Sequence, residues 1–292
     1  MWKRVRLTLE MIKFEHSVFA LPFALTGALL AVRDGGLGGA ELWRKLGWIV
    51  VAMVGARSAA MAFNRLIDSD IDARNPRTRL RHIPAGLLSA GFAWGFVVVS
   101  SLVFILAARE LNTLCFRLAP VALGIVFAYS FTKRFTSFSH LVLGFALGIA
   151  PAAAWIAVRG SLDVRILWLT AAVAFWTAGF DIIYSCQDYE FDTEAGLFSL
   201  PRRLGIARAL LVSRLLHGAM LACLLALVYT LQLGALSMTG IGVVASLLIY
   251  EHRLVKADDL TRVDAAFFTM NGYVSVLFFL FWAADIFYAS RL

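Results

Sequence analysis

Two short acidic runs hold the chemistry of this chain. The first reads Asn64-x3-Asp68-x3-Asp72, and the second reads Asp181-x2-Tyr184-x3-Asp188-x3-Asp192. Each helical residue turns the chain by about 100°, so residues four apart drift by only about 40° and share a face. Asp70 points away from that face, whereas Arg57, seven residues before Asn64, falls on it. Carboxylates stacked one turn apart repel each other, and near a membrane boundary such a pair needs a cation between its members. Hard divalent ions with oxygen ligands meet that need. Mg2+ takes one or two carboxylates, keeps waters and completes its shell with phosphate oxygens. Two such stripes can clamp two or more Mg2+ ions around a diphosphate. The candidate metal-binding groups are therefore the two stripes, whose carboxylates are Asp68 and Asp72 on the first and Asp181, Asp188 and Asp192 on the second. A single stripe also reads as an ordinary solvated helix end. The recurrence of the spacing in two places is the argument for a site.

Basic residues crowd the same stretches: Arg74, Arg77, Arg79 and Arg81 follow the first run, Lys133 and Arg134 end a later apolar segment, and Arg202 and Arg203 follow the second run. Each serves either as a topology signal or as a phosphate donor, and proximity to the acidic runs favours the second role for some of them. Arg57 lies inside an apolar span, where a charge is a functional hypothesis by default. It can neutralise the carboxylate of an aromatic acid, touch a diphosphate, or pair with Asp68 or Asp181.

The elements that must position these groups follow from the composition. Hydrophobic residues make up 61% of the 292 positions and charged residues only 16%, with a mean hydropathy of +0.79. Soluble domains sit near 45–50% apolar and about 25% charged, so a soluble enzyme and a disordered chain are both excluded. The expected fold is all-α, a polytopic membrane protein with about nine transmembrane helices around a central cavity, forming one domain over residues 1–292. Candidate spans cover 16–32, 46–63, 86–108, 115–131, 140–157, 165–181, 209–232, 235–250 and 266–284. The net charge of +8 arises between these spans, which marks membrane topology and not nucleic-acid binding. Lys and Arg predominate on the side holding the N-terminus and both acidic runs. The positive-inside rule makes that side cytoplasmic and puts the C-terminus outside. Cys115, Cys186 and Cys223 are far apart and show neither metal spacing nor a disulfide framework. Glu15 and His16, at the start of the first span, read as interfacial, Asp285 reads as a boundary residue, and Arg214 receives no function.

Taken together the motifs resemble those of the UbiA superfamily of membrane-embedded aromatic prenyltransferases, nearly end to end. The first acidic run is followed by Asn75-Pro76-Arg77-Thr78 and then by Arg81-His82-Ile83-Pro84-Ala85-Gly86. Tyr129-Ser-Phe-Thr-Lys133-Arg134-Phe-Thr is similar to the family's basic loop, and the second run continues into Gly196-Leu-Phe-Ser199-Leu-Pro201-Arg-Arg-Leu-Gly205. The resemblance implies Mg2+-dependent transfer of a polyprenyl chain from its diphosphate to an aromatic ring within a lipid bilayer, with no protein partner. It implies that Asn64, Asp68 and Asp72 bind one Mg2+–diphosphate face and Asp188 and Asp192 the other. Lys133, Arg134 and Arg77 would then contact phosphate, and Arg57, Asp181 and Tyr184 complete the expected substrate-binding set. The N-terminal run Ile12-Lys13-Phe14-Glu15-His16 departs from the Lys-Pro-Ile-Gly-like start of proteobacterial 4-hydroxybenzoate enzymes. It resembles a branch that includes menaquinone-route enzymes acting on a dihydroxynaphthoate. The acceptor is thus 4-hydroxybenzoate or a dihydroxynaphthoate, in ubiquinone or menaquinone synthesis, and the setting a bacterial inner membrane.

Two rivals carry related features. A CDP-alcohol phosphatidyltransferase also sets Asp-x3-Asp on a membrane helix, but the Asp-Gly-x2-Ala-Arg run it requires is missing here. A cation-coupled transporter needs acids near mid-membrane and access from both sides, whereas these acids gather on one side.

Overall fold

The computed structural model describes residues 2–13, 19–35 and 37–289, so Glu15 and His16 lie outside the described residues. Thirteen α-helices follow one another: α1 (Trp2–Met11), α2 (Leu21–Gly35), α3 (Gly39–Ile67), α4 (Ser69–Arg74), α5 (Ala90–Leu111), α6 (Thr113–Thr132), α7 (Ser139–Arg159), α8 (Leu167–Ser185), α9 (Tyr189–Glu194), α10 (Leu200–Leu204), α11 (Ile206–Leu231), α12 (Ala235–Leu254) and α13 (Asn271–Ala289). Short 3₁₀ turns at Val164–Ile166 and Cys186–Asp188 and a π-helical turn at Ala265–Met270 extend or join them. No strand is present among the described residues.

Eight of these helical segments are long and apolar enough to cross a membrane: α3, α5, α6, α7, α8 with its flanking turns, α11, α12, and α13 with its π turn. About nine spans are expected; among the described residues eight qualify, and the first expected span corresponds to α2. At 15 residues, α2 rises roughly 22 Å, short of a hydrocarbon core of about 30 Å. The span expected to start at residue 16 begins among residues that the structure does not describe. α3 exceeds its expected bounds at both ends, because charged Glu41, Arg44 and Lys45 continue the helix into the interface.

The core sits where α2, α7, α8, α11 and α13 meet. Phe23 stacks on Phe278 at 4.6 Å and tilts against Trp176 at 4.9 Å, and Trp155, Trp176 and Trp282 are fully buried there. α8 is the most enclosed of the membrane-crossing segments, although Leu167 and Trp168 at its start are exposed. Small residues let its neighbour come close. A Cβ on Gly144 of α7 would collide with the Ala174 carbonyl of α8, and one on Gly148 would lie 2.8 Å from the Thr170 carbonyl oxygen. Without a hydrophobic force between helices in lipid, this backbone approach is what association rests on.

The helix connections sort onto two sides. On one, the breaks are short and their carbonyl ends are stapled by side chains. Arg33 donates to the Leu231 and Gln232 carbonyls, Lys45 to those of Ala157 and Val158, Asn112 to Ile156 and Arg44 to Glu110. Asp285 of α13 accepts from the Gly234 and Leu236 amides and the Ser237 hydroxyl at the start of α12. Cations at helix C-termini and a carboxylate at an N-terminus each satisfy orphan backbone groups and the helix dipole. On the other side lie the long connections, and there α3 and α8 break at their acidic runs. We expect Gly148→Leu to force α7 away from α8 and lower the melting temperature in detergent by the equivalent of about 1–3 kcal/mol. Gly95→Leu on α5, where an added Cβ meets nothing within 4 Å, leaves the melting temperature unchanged.

Candidate active site

The two acidic runs fold alike. α3 stops at Ile67, and Asp68 takes φ −90° and ψ 2° before the six-residue α4 begins. α8 stops at Ser185, and after one 3₁₀ turn Asp188 takes φ −96° and ψ 7° before the six-residue α9 begins. Both aspartates occupy the sparsely populated bridge region, where many active-site residues sit. The sequence reading had each run on one continuous helix face. The structure instead inserts a hinge at the central aspartate, yet Asn64, Asp68, Asp72, Asp181, Tyr184, Asp188 and Asp192 still line one cavity. Carrying the helix past the hinge with almost the same phase is enough to keep the face, and the Asp72 amide still bonds to the Asp68 carbonyl at 2.7 Å.

Each of the four aspartates of the paired runs in this cavity, Asp68, Asp72, Asp188 and Asp192, has a cation near it. Arg77 grips Asp188 through two bonds, Nε to Oδ1 at 2.9 Å and Nη2 to Oδ2 at 2.6 Å, and the Asn75 amide adds a third at 2.9 Å. Arg81 Nη1 reaches both oxygens of Asp72 at 2.6 and 2.7 Å. Asn64 Nδ2 donates to Asp68 at 2.9 Å, and Arg134 stands 3.4 Å from it while donating to the Ile67 carbonyl at 2.6 Å. Lys133 Nζ lies 4.0 Å from Asp192. The Arg77 fork also donates to the Tyr184 hydroxyl at 3.0 Å, with its guanidinium 5.1 Å above the tyrosine ring. The Arg77–Asp188 pair joins the segment after the first stripe to the second stripe itself.

Burial sets the electrostatics. It pushes the Asp68 carboxyl above its usual range, an effect that Lys133 partly offsets and neighbouring Asp72 reinforces. Burial pulls the Arg77 guanidinium down, but its bonds to Asp188 outweigh that and hold it above the ordinary arginine value.

The structure brings together Lys133, Arg134, Arg77, Asp181 and Tyr184 with the metal-ligand candidates, but it sets Arg57 apart. Arg57 lies on α3 two turns below Asn64, and among the described residues it pairs with neither Asp68 nor Asp181. Its Nε is buried with no partner. The Asp181 carboxylate bonds instead to His140 Nδ1 at 2.6 Å, and the Leu200 amide approaches His140 Nε2 at 3.4 Å. Since an amide can only donate, Nε2 accepts and Nδ1 carries the proton. His140 was not legible as a site residue because it opens α7 far from either stripe in sequence. Asn75 and Arg81 were visible in the motif that follows the first stripe but had not been assigned to the carboxylates they hold. Tyr129, Ser130 and Ser199 also line the cavity.

The cavity is partly enclosed, with a volume of about 130 Å3. Pockets for drug-sized ligands run to roughly 300–1,000 Å3, so a diphosphate requires the arginine side chains that cross this cavity to move. Among the described residues no three carboxylate, thiol or imidazole side chains converge tightly enough to hold an ion alone. The donor set nevertheless suits Mg2+, being all oxygen, with Asp192 Oδ1 buried and lacking a hydrogen-bond partner. An ion that takes one or two carboxylates and completes its shell with phosphate fits such a set.

Comparison with known proteins accords with this geometry. Residues 20–274 match the UbiA prenyltransferase family. A curated relative, the 4-hydroxybenzoate octaprenyltransferase of Vibrio atlanticus (strain LGP32), is 31% identical over 238 residues, spanning 80% of this chain and 83% of the relative. Among solved structures, a UbiA homolog from Aeropyrum pernix K1 in its apo form superposes with a TM-score of 0.82 at 34% identity, covering 95% of this chain and 98% of the other. A UbiA homolog from Archaeoglobus fulgidus bound to GPP and Mg2+ shares the fold, with a TM-score of 0.71 at 21% identity over 96% of this chain and 99% of the other. An all-α, multi-pass membrane protein with paired acidic runs folded onto one cavity, this chain belongs to the UbiA prenyltransferase family.

Proposed function

We propose that this protein transfers a polyprenyl group from polyprenyl diphosphate to a ring carbon of an aromatic acid, either 4-hydroxybenzoate or a dihydroxynaphthoate, in quinone biosynthesis. The observation that carries the reading is the convergence of Asp68, Asp72, Asp188 and Asp192 with Arg77 and Lys133 on one cavity, with Arg134 reaching Asp68 from beside it. The curated relatives' names support the aromatic acceptor, and the Archaeoglobus fulgidus homologs solved with GPP or DMAPP and Mg2+ support the donor and the metal. The whole chain, residues 1–292, is one catalytic domain in this reading.

Asn64, Asp68, Asp72, Asp188 and Asp192 would hold Mg2+, which supplies Lewis-acid stabilisation of the leaving diphosphate. As diphosphate enters, Arg77 exchanges its Asp188 partner for phosphate oxygens, where a guanidinium forms the same two-pronged bonds. Lys133 and Arg134 approach from the end of α6. These fixed donors face the charge that grows as the allylic C–O bond breaks and its electron pair passes to the diphosphate. The ring carbon next to the phenol then bonds to the allylic cation, and the ring proton passes to the released diphosphate, which restores aromaticity. Tyr184, held by Arg77, keeps the second stripe in register with the guanidinium. Arg57 binds the carboxylate of the acceptor, because it is the cation two turns deeper whose Nε has no partner.

The first test offers the purified protein a polyprenyl diphosphate, Mg2+ and each acceptor in turn, with product read by mass spectrometry. Product with one of the two acids, abolished by EDTA, is expected; binding of neither diphosphate nor acceptor overturns the reading. Asp68→Asn and Asp188→Asn should fold normally and lose at least about a hundredfold in kcat, the scale of removing a preorganised electrostatic contact. Unchanged turnover in either would remove that stripe from the mechanism. Arg57→Gln should raise KM for the aromatic acid about tenfold or more while leaving KM for the prenyl diphosphate alone, as loss of a single charged hydrogen bond predicts.

The bilayer we assign is the bacterial cytoplasmic membrane, with the N-terminus and the acidic runs facing the cytoplasm. With the three native cysteines replaced, Ala257→Cys should react with an impermeant thiol reagent only after permeabilisation, and Leu162→Cys in intact cells. The opposite pattern would invert the topology.

A further inference from the structure

Next to the catalytic cavity lies a second one that the reaction above does not use. It has a volume of about 390 Å3 and is lined by Phe135, Thr136, Ser137, Phe198, Ser199, Arg202 and Arg203. Phe198 and Ser199 line both cavities, so this short segment is the wall between them. The wall is anchored on the catalytic side, where the Phe198 amide donates to the Lys133 carbonyl at 2.9 Å. No acidic residue lines the second cavity, although two guanidinium groups do. Each is oriented by an aromatic face, Arg202 at 5.5 Å from the Phe198 ring and Arg203 at 5.8 Å from the Phe138 ring. Arg202 commits one nitrogen to the Leu197 carbonyl at 2.6 Å. Arg203 forms no ion pair with any described carboxylate, unlike Arg77 and Arg81 in the catalytic cavity.

Two stacked guanidinium groups with hydroxyls beside them and no counter-charge form a receptor for a phosphate oxyanion. We propose that this vestibule is a second phosphate site, which receives the inorganic diphosphate as it leaves the catalytic cavity past Phe198 and Ser199. The identity of that product rests on the function proposed above. An anionic lipid headgroup presents the same chemistry, and the experiment separates the two sources.

The test measures inhibition by inorganic pyrophosphate, together with turnover in nanodiscs of phosphatidylcholine alone or mixed with phosphatidylglycerol. The proteins are the unaltered enzyme, Arg203→Gln, Arg203→Lys and Arg202→Lys, each checked by thermal melting. Arg203→Gln should raise the pyrophosphate inhibition constant about tenfold, the scale of one lost charged hydrogen bond, with KM for the prenyl diphosphate unchanged. Arg203→Lys should recover part of it. If Arg203→Gln instead abolishes a dependence on phosphatidylglycerol and leaves pyrophosphate inhibition untouched, the ligand is a headgroup and the product-exit proposal is overturned. If neither readout moves in any folded variant, the vestibule binds no phosphate. Turnover by the unaltered enzyme tests the proposed function separately, so either negative result leaves that reading standing.

Discussion

The site depends on neutralising four buried or nearly buried aspartates within a short distance of a bilayer. Carboxylates so placed cannot all stay ionised without cations at close range. In this structure the cations come from the same segments that a phosphate substrate would engage. Arg77 on Asp188 and Arg81 on Asp72 hold the cavity together, and the cost of separating them must be met by whatever enters. Ligand entry is therefore a partner exchange in a low-dielectric pocket, which favours a ligand bringing its own dense negative charge together with metal ions. A neutral ligand, or an anion without metal, would leave carboxylates or guanidinium groups unpaired.

Much of this was legible in the sequence. The four-residue spacing of the aspartates placed them on one side of two helices, and the structure has them on one cavity wall even though both helices break there. The break itself was hidden. Asp68 and Asp188 are as compatible with a continuous helix as with a bridge-region hinge, and only tertiary contacts such as Asn75 and Arg77 reaching Asp188 decide between them. Long-range pairings in general escaped, including His140 with Asp181 and Arg81 with Asp72, since no local periodicity links them. Nor could sequence tell which cations serve phosphate and which serve the fold. Arg33, Arg44 and Lys45, basic residues between spans, staple helix ends.

The matching hinges at Asp68 and Asp188 also give structural meaning to the recurrence of the four-residue spacing in the two acidic runs. Each repeat consists of a long helix, a bridge-region aspartate and a six-residue helix carrying the next aspartate. The short helices are exposed on their outer faces; α4 follows α3 across Asp68 alone, and α9 follows α8 across the Cys186–Asp188 turn. The two halves differ in what secures them: the first is held by Arg81 from its own segment, the second by Arg77 from the other half. That crossing makes the second stripe responsive to whatever happens at the first.

The stapled connections on the far side have a mechanical consequence. Helix ends joined through Arg33, Lys45, Asn112 and Asp285 form a base plate on the side away from the acidic runs. Most of these ties end on backbone groups, whereas the arginine–aspartate ties at the site end are ones a phosphate can replace. Rearrangement on ligand entry thus belongs to the site end, and the base end keeps the helices in register.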